Sequence, residues 1–205
     1  MIAIVDVGLC NAGSIVNMLR GSDVEVVRTA SPSVIRGATK LIMPGIGSFD
    51  TGLGRLEENG LLPVLNERVL GERVPVLGIC LGMQMMTKGS EEGNRAGLGW
   101  IDAHTRRFAF GPEATTLRVP HMGWNNVEFP PDAPLAGGLT IPARFYFVHS
   151  YHVELLGGSG VKSLHSHYGY RFVSGFSAGN IHGVQFHPEK SHRFGLQLLK
   201  NFVAL

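Results

Sequence analysis

The sequence predicts an α/β fold, a mostly parallel sheet with helices on both faces and additional antiparallel strands in the C-terminal half. Two observations lead there. Between Ile2 and Met86 short apolar runs alternate with helix-compatible segments, the pattern of a parallel sheet with covering helices. From Gly99 onward the runs shorten and fill with aromatic and β-branched residues, which suits strands added to such a sheet.

Taken in order, Ile2–Val5 reads as a strand, Gly8–Gly13 as a turn, Ser14–Arg20 as a helix and Val24–Val27 as a second strand. Leu41–Met43 is a short apolar run that stops at Pro44-Gly45, and Leu61–Leu70 follows with helical spacing. Val74–Ile79 is another apolar run, suited to a strand buried on both faces, with the helix-like Leu81–Met86 after it. Arg144–Val148, Phe172–Phe176 and Ile181–Phe186 read as later strands, often antiparallel. Across Ser191–Leu205, Phe194, Leu198 and Phe202 recur every four residues, the signature of an amphipathic helix that packs back onto the sheet.

A chain of 205 residues can bury a sizeable core and lies within the range of one domain, so residues 1–205 are expected to form a single unit. No repeat or low-complexity tract interrupts it, and Pro130–Pro134 reads as a surface loop. With 44% hydrophobic and 17% charged residues the composition is that of a packed globular protein rather than a disordered one. The net charge is only +2, and although the pI is ≈ 8.7 there is no long Lys/Arg run to track a phosphate backbone, so a nucleic-acid partner is not expected. No stretch is long enough to span a bilayer, and Ile2–Val5 lacks the basic region and cleavage signal of a leader, so a cytoplasmic protein without a membrane partner is expected. Cys10 and Cys80 are the only cysteines; each lies beside a glycine-containing turn, and both are expected to be reduced.

Chemistry enters at Gly78-Ile79-Cys80-Leu81-Gly82, where glycines stand two positions either side of Cys80 between a strand-like and a helix-like segment. Such a turn pushes the central side chain out at the carboxyl end of a strand, and small neighbours relieve the crowded backbone. A helix starting just after Cys80 would favour thiolate over thiol. Alone, Cys80 is equally a small buried hydrophobe. Gly183-Val184-Gln185-Phe186-His187-Pro188-Glu189 supplies partners for it: His187 to take and return a proton, Glu189 to orient the imidazolium. Taken singly, His187 is a loop histidine and Glu189 a helix-start carboxylate. Pro44-Gly45-Ile46-Gly47-Ser48-Phe49 forms a third element, whose backbone N–H groups, with that of Leu81, suit a developing oxyanion. It is not a phosphate loop, lacking the Lys-Ser/Thr ending. His165 and His167 fall on one face of a strand but have no third ligand at a clear spacing, so no metal is expected.

These blocks, with Pro120-His121-Met122-Gly123-Trp124-Asn125 and Tyr146-Phe147-Val148-His149-Ser150-Tyr151, resemble in order those of the class I, or triad, glutamine amidotransferases. The resemblance spans nearly the whole chain, and Pro120–Asn125 with His187–Ser191 narrows it to the glutaminase subunits of imidazole glycerol phosphate synthases. It implies a flavodoxin-like sheet and a glutaminase that releases ammonia to a (β/α)8 synthase in histidine biosynthesis, without a cofactor. Cys80, His187 and Glu189 would be catalytic, with Gly45, Ile46, Gly47 and Leu81 around the oxyanion. Gln84, Glu92, Ser150 and Tyr151 would hold L-glutamine, and Asn11, Trp124, Tyr146, His149 and Lys190 would face the partner. The family commonly has glycine where this chain has Cys10, which alters the first turn beside Asn11. Two other readings compete: a paralogous subunit feeding a barrel that amidates a nucleotide-linked or surface-polysaccharide sugar, suggested by the block His187–Gly195, and a non-catalytic regulatory module on the same fold.

Overall fold

The computed structural model describes residues 1–112, 116–157 and 160–205. Its strands in chain order are β1 (Ile2–Val5), β2 (Val26–Thr29), β3 (Lys40–Gly45), β4 (Val76–Cys80), β5 (Ala103–Arg107), β6 (His121–Val127), β7 (Ala143–His149), β8 (Tyr151–Leu155), β9 (Lys162–Tyr168), β10 (Tyr170–Ala178) and β11 (Ile181–Val184). The α-helices are α1 (Ala12–Leu19), α2 (Pro32–Arg36), α3 (Phe49–Glu58), α4 (Leu61–Asn66), α5 (Leu81–Met85) and α6 (His192–Ala204). A π-helical turn, Glu67–Gly71, follows α4, and a 3-10 turn, Pro188–Lys190, precedes α6.

The sheet runs β2-β1-β3-β4-β11-β10-β8-β5, with β9 also on β10. Its first five strands are parallel, in the doubly wound order of flavodoxin-like proteins with β11 as the fifth. The pairs β11/β10, β10/β8, β10/β9 and β8/β5 are antiparallel. β6 and β7 form a separate two-stranded ribbon.

Side chains alternate across the pleat, which divides the core in two. Ile2 and Ile4 of β1 join Ile42, Leu77 and Ile79 on the face covered by Ile15 of α1 and Leu198, Leu199 and Phe202 of α6. Ala3 and Val5 join Leu41, Met43 and Val76 on the opposite face, beneath Ile35, Leu53, Leu56 and Leu61 from α2, α3 and α4. The parallel strands are thus buried on both sides, which is why their sequence reads as apolar runs rather than as alternation.

Three expectations shift. Ile181–Phe186 yields β11, which ends at Val184 and is antiparallel to β10, as expected, but parallel to β4; the turn at Gly179 folds it back on β10 and inserts it between β10 and β4. The second strand is displaced to Val26–Thr29, the segment whose register matches Ile2–Val5. The helix expected over Leu61–Leu70 widens after Asn66 into the π-helical turn, where Arg68 reaches Glu72 and the Ala38 carbonyl.

The turn carrying Glu189 is pressed against α6 at Gly195, where an added Cβ would lie 1.8 Å from the Pro188 carbonyl oxygen. Gly195→Ala is therefore expected to destabilise by about 2–3 kcal/mol, because the clash is with backbone. Gly13→Ala, in α1 with open space around the new methyl, is expected to stabilise by about 0.5–1 kcal/mol. Urea unfolding of the two variants tests the contrast, and equal midpoints would refute it.

Candidate active site

Parallel register brings three strand ends together. Gly45 of β3 pairs with Cys80 of β4, and Val184 of β11 pairs with Ile79. Cys80 leaves the sheet with φ 53 and ψ −109 and becomes the N-cap of α5. A side chain in the left-handed region is strained, so packing must hold it there. The packing is tight: a Cβ at Gly82 would sit 1.7 Å from the Met43 carbonyl oxygen. α5 has five residues, so the field of its N-terminus on the sulfur is that of little more than one turn.

His187 lies three residues beyond the end of β11 and is fixed at several points. Its backbone N–H donates to the Tyr146 carbonyl at 2.9 Å, its carbonyl accepts from Ser191 Oγ at 2.6 Å, and its Nδ1 meets Glu189 Oε1 at 2.7 Å. Opposite a carboxylate, Nδ1 is the donor. Nε2 is buried and makes no hydrogen bond among the described residues. Burial alone pushes His187 toward the neutral form. The Cys80 sulfur and the hydrogen-bonded Glu189 carboxylate outweigh it and raise its pKa from 6.5 to about 9.

Beside the sulfur is a cavity of ≈ 320 Å³. Gln84, Glu92, Ser150 and Tyr151 all line it, together with Cys80, Leu81, His187, Ile46 and Gly47. Glu92 is placed by accepting from the Phe49 N–H at 2.8 Å, which also caps α3. Gln84 donates from Nε2 to the Tyr151 carbonyl at 3.2 Å and to Gln185 Oε1 at 3.0 Å. Gln185 is the residue sequence reasoning missed. It is fully buried and donates from Nε2 to Cys80 Sγ at 3.7 Å. Its place two residues before His187 is the only signal the sequence carries.

The Gly45-Ile46-Gly47 segment borders this cavity, but Ile46 spends its N–H on the Leu9 carbonyl at 2.7 Å, so that donor faces the first loop instead of the sulfur. Gly47 has φ 103, a conformation open to glycine, so the intervening peptides can turn without a side-chain clash. Of the residues expected to face a partner, Asn11 and Lys190 are exposed, Trp124 is 41% exposed, and Tyr146 is half-buried beneath the Lys190 ammonium, 5.6 Å from its ring. Trp124 stacks on His192 with centroids 5.5 Å apart. His149 departs from the expectation. It is 6% exposed and belongs to the cavity wall, where its Nδ1 bonds the Tyr151 carbonyl at 2.7 Å. It points inward because alternation along β7 buries Phe145, Phe147 and His149 together.

His165 and His167 lie on β9, the first half-buried and the second exposed, and no group of three or more metal-ligating side chains occurs among the described residues. Cys10 and Cys80 are both free thiols. Asp6 receives the Cys10 thiol at 3.4 Å, and burial together with the Asp6 charge pushes that thiol up to about 12, which disfavours its thiolate. No helix among the described residues is long and apolar enough to cross a membrane.

Residues 3–205 match the family model described as glutamine amidotransferase class-I. The chain is 47% identical to imidazole glycerol phosphate synthase subunit HisH 2 of Methanococcus maripaludis, over 99% of this chain and 98% of that protein. It is 44% identical to the subunit of the same name in Pseudomonas aeruginosa, over 100% of both. A solved glutamine amidotransferase, at 20% identity, superposes with a TM-score of 0.74 over 99% of this chain and 97% of its own, a likeness of fold. The strained cysteine at the end of β4, the histidine and carboxylate after β11 and this full-length similarity agree, and the chain belongs to the class-I glutamine amidotransferases.

Proposed function

We propose that this chain is the glutaminase subunit of an imidazole glycerol phosphate synthase, with Cys80 as nucleophile, His187 as proton carrier and Glu189 as the group that holds the imidazolium. The observation that carries the reading is the buried His187–Glu189 pair on the wall, shared with Cys80, of a cavity large enough for one amino acid.

In the mechanism, Cys80 reacts with its proton passed to His187, which favours the charged form near neutral pH. The sulfur attacks the side-chain amide carbon of glutamine to give a tetrahedral oxyanion. The Leu81 N–H, at the start of α5, is one donor to it. A second comes from the Gly45–Gly47 segment once Ile46 N–H leaves Leu9. The C–N bond breaks, His187 protonates the departing nitrogen, and ammonia leaves behind a thioester. Water then gives its proton to His187 and attacks the thioester, releasing glutamate and returning the sulfur. Glu92 beside the cavity suits the α-ammonium group of glutamine.

A partner follows from the product. Near neutral pH free ammonia is mostly protonated and a poor nucleophile, so an enclosed route to the acceptor preserves it. We assign that role to a (β/α)8 subunit docked over the face that exposes Ile46 (51%), Met122 (62%) and Trp124 (41%). Docking beside Ile46 couples the partner to the oxyanion segment. The block His187–Gly195 supports a second reading in which the barrel amidates a sugar rather than building imidazole glycerol phosphate.

Three outcomes are expected. Cys80→Ala should abolish glutamine-dependent synthesis while the assembled complex still works with ammonium; ordinary glutamine turnover by the variant would end the assignment. The isolated chain should hydrolyse glutamine slowly and speed up by about 1,000-fold with its partner and acceptor, for which about 4 kcal/mol of differential stabilisation suffices. Running the histidine-pathway barrel and a sugar-acting barrel in parallel decides between the two readings, and full activity without either would remove partner control. Finally, the alkaline limb of kcat/KM should fall near pH 9 as His187 loses its proton. Glu189→Gln removes an anion that favours the imidazolium and leaves burial, which opposes it, so the limb must move to lower pH. An unmoved limb would show that His187 does not set it.

A further inference from the structure

Side-chain amides can be placed either way round, but here a backbone carbonyl fixes them. The Tyr151 carbonyl oxygen can only accept, and it lies 3.2 Å from the Gln84 amide and 2.7 Å from His149 Nδ1. Gln84 must therefore turn its NH2 toward Tyr151, and the second hydrogen of that group meets Gln185 at 3.0 Å. The atom it meets must be the Gln185 oxygen. The Gln185 NH2 is left facing the Cys80 sulfur, 3.7 Å away.

The other side of the carbonyl is held as firmly. His149 donates from Nδ1, so its Nε2 accepts, 2.9 Å from His121 Nδ1, and His121 Nε2 in turn accepts from Asn125 Nδ2 at 3.2 Å. Burial keeps both rings neutral, His121 down to about 4 and His149 well below its ordinary range, so neither can reverse its tautomer by gaining a proton near neutral pH. Gln84 and Gln185 are buried with them.

We propose that Gln185 is a catalytic residue that donates a second hydrogen bond to the Cys80 sulfur, in an orientation set from the Tyr151 carbonyl through Gln84. The inference rests on the reading of Cys80 as the nucleophile. An N–H aimed at sulfur favours the anion over the thiol, in the same sense as the imidazolium of His187 on its other side. The two donors differ in their fate. His187 must give its proton to the leaving nitrogen, whereas the amide of Gln185 never ionises and stays in place through both halves of the reaction.

The test measures the alkylation rate of Cys80 by iodoacetamide against pH in the full chain, in a Cys10→Ser background so that only one thiol reports. Gln185→Met keeps the length of the side chain and removes the donor; Gln185→Glu keeps an acceptor for Gln84 and turns an oxygen toward the sulfur. The other titratable groups of the cavity, Glu92, His149, Tyr151 and His187, are unchanged in both. In Gln185→Met the rising limb should move to higher pH, with alkylation about tenfold slower at a given pH on that limb. In Gln185→Glu the shift should be at least as large. If either variant fails to fold by its thermal midpoint, the other carries the test. Folded variants that alkylate along the parental curve overturn the proposal, even if they lose glutaminase activity, because Gln185 would then be no more than a support for Gln84. This readout needs no turnover, so it fails or succeeds separately from the activity of Cys80→Ala.

Discussion

The site depends on one constrained backbone turn. Cys80 occupies φ 53 and ψ −109, where a residue with a side chain costs about 1–3 kcal/mol. Two close approaches prevent its relaxation. On the strand side Cys80 is locked in register with Gly45; on the helix side Gly82 lies so near the Met43 carbonyl that no side chain fits there. β3, β4 and α5 can come this close only because residues 45, 78 and 82 are glycine. In return the sulfur stands at the carboxyl edge of the sheet beside the N-terminus of α5, within reach of everything β11 carries to the same edge.

Two histidines on the wall of one cavity show how environment divides their roles. Both are buried, and burial disfavours the charged ring in both. His187 has Glu189 at 2.7 Å and the Cys80 sulfur opposite, and these reverse the effect. His149 has a carbonyl at one nitrogen and a second histidine at the other, and neither supplies a negative charge, so it stays neutral. The carboxylate thus keeps one ring in its charged form, as the proposed proton carrier requires, while the other serves as a fixed donor that holds the Tyr151 carbonyl. The same logic explains why Glu189 must be buried: an exposed carboxylate, screened by water, would give His187 far less support.

Much of this was legible in the sequence, and the exceptions share a cause. The parallel strands were legible because burial on both faces leaves continuous apolar runs, and Cys80, His187 and Glu189 because each sits in a short block whose residue types make chemical sense together. The sense of Ile181–Val184 was not, because pairing direction depends on which strand lies alongside, and no local pattern encodes that. His149 read as outward-facing because the motif around it gives no indication of which side of β7 meets the core. Gln185 escaped notice for a similar reason. Its partners, Gln84 and Cys80, are about 100 residues away in the chain, and a polar residue inside an apolar run looks like an exposed strand position until the sheet is assembled.

The ribbon of β6 and β7 ties these parts together. It is separate from the main sheet, yet Tyr146 on β7 accepts the backbone N–H of His187 and takes Ser191 Oγ at its own N–H, and Ser191 Oγ also donates to the His187 carbonyl. The next inward residues of the same strand, Phe147 and His149, face the aromatic core and the cavity wall. On the paired strand β6, Met122 and Trp124 face outward and His121 inward. One ribbon therefore presents the exposed aromatic surface, anchors the backbone of the proposed proton carrier and supplies the first links of the hydrogen-bond chain that ends at the sulfur. A rigid ribbon is required for that combination. Were it loose, the His187 ring would lose its aim at Cys80 and the Tyr151 carbonyl would lose one of its two donors, so the packing of Phe145, Phe147 and Phe186 behind it is as much a part of the site as the polar residues in front.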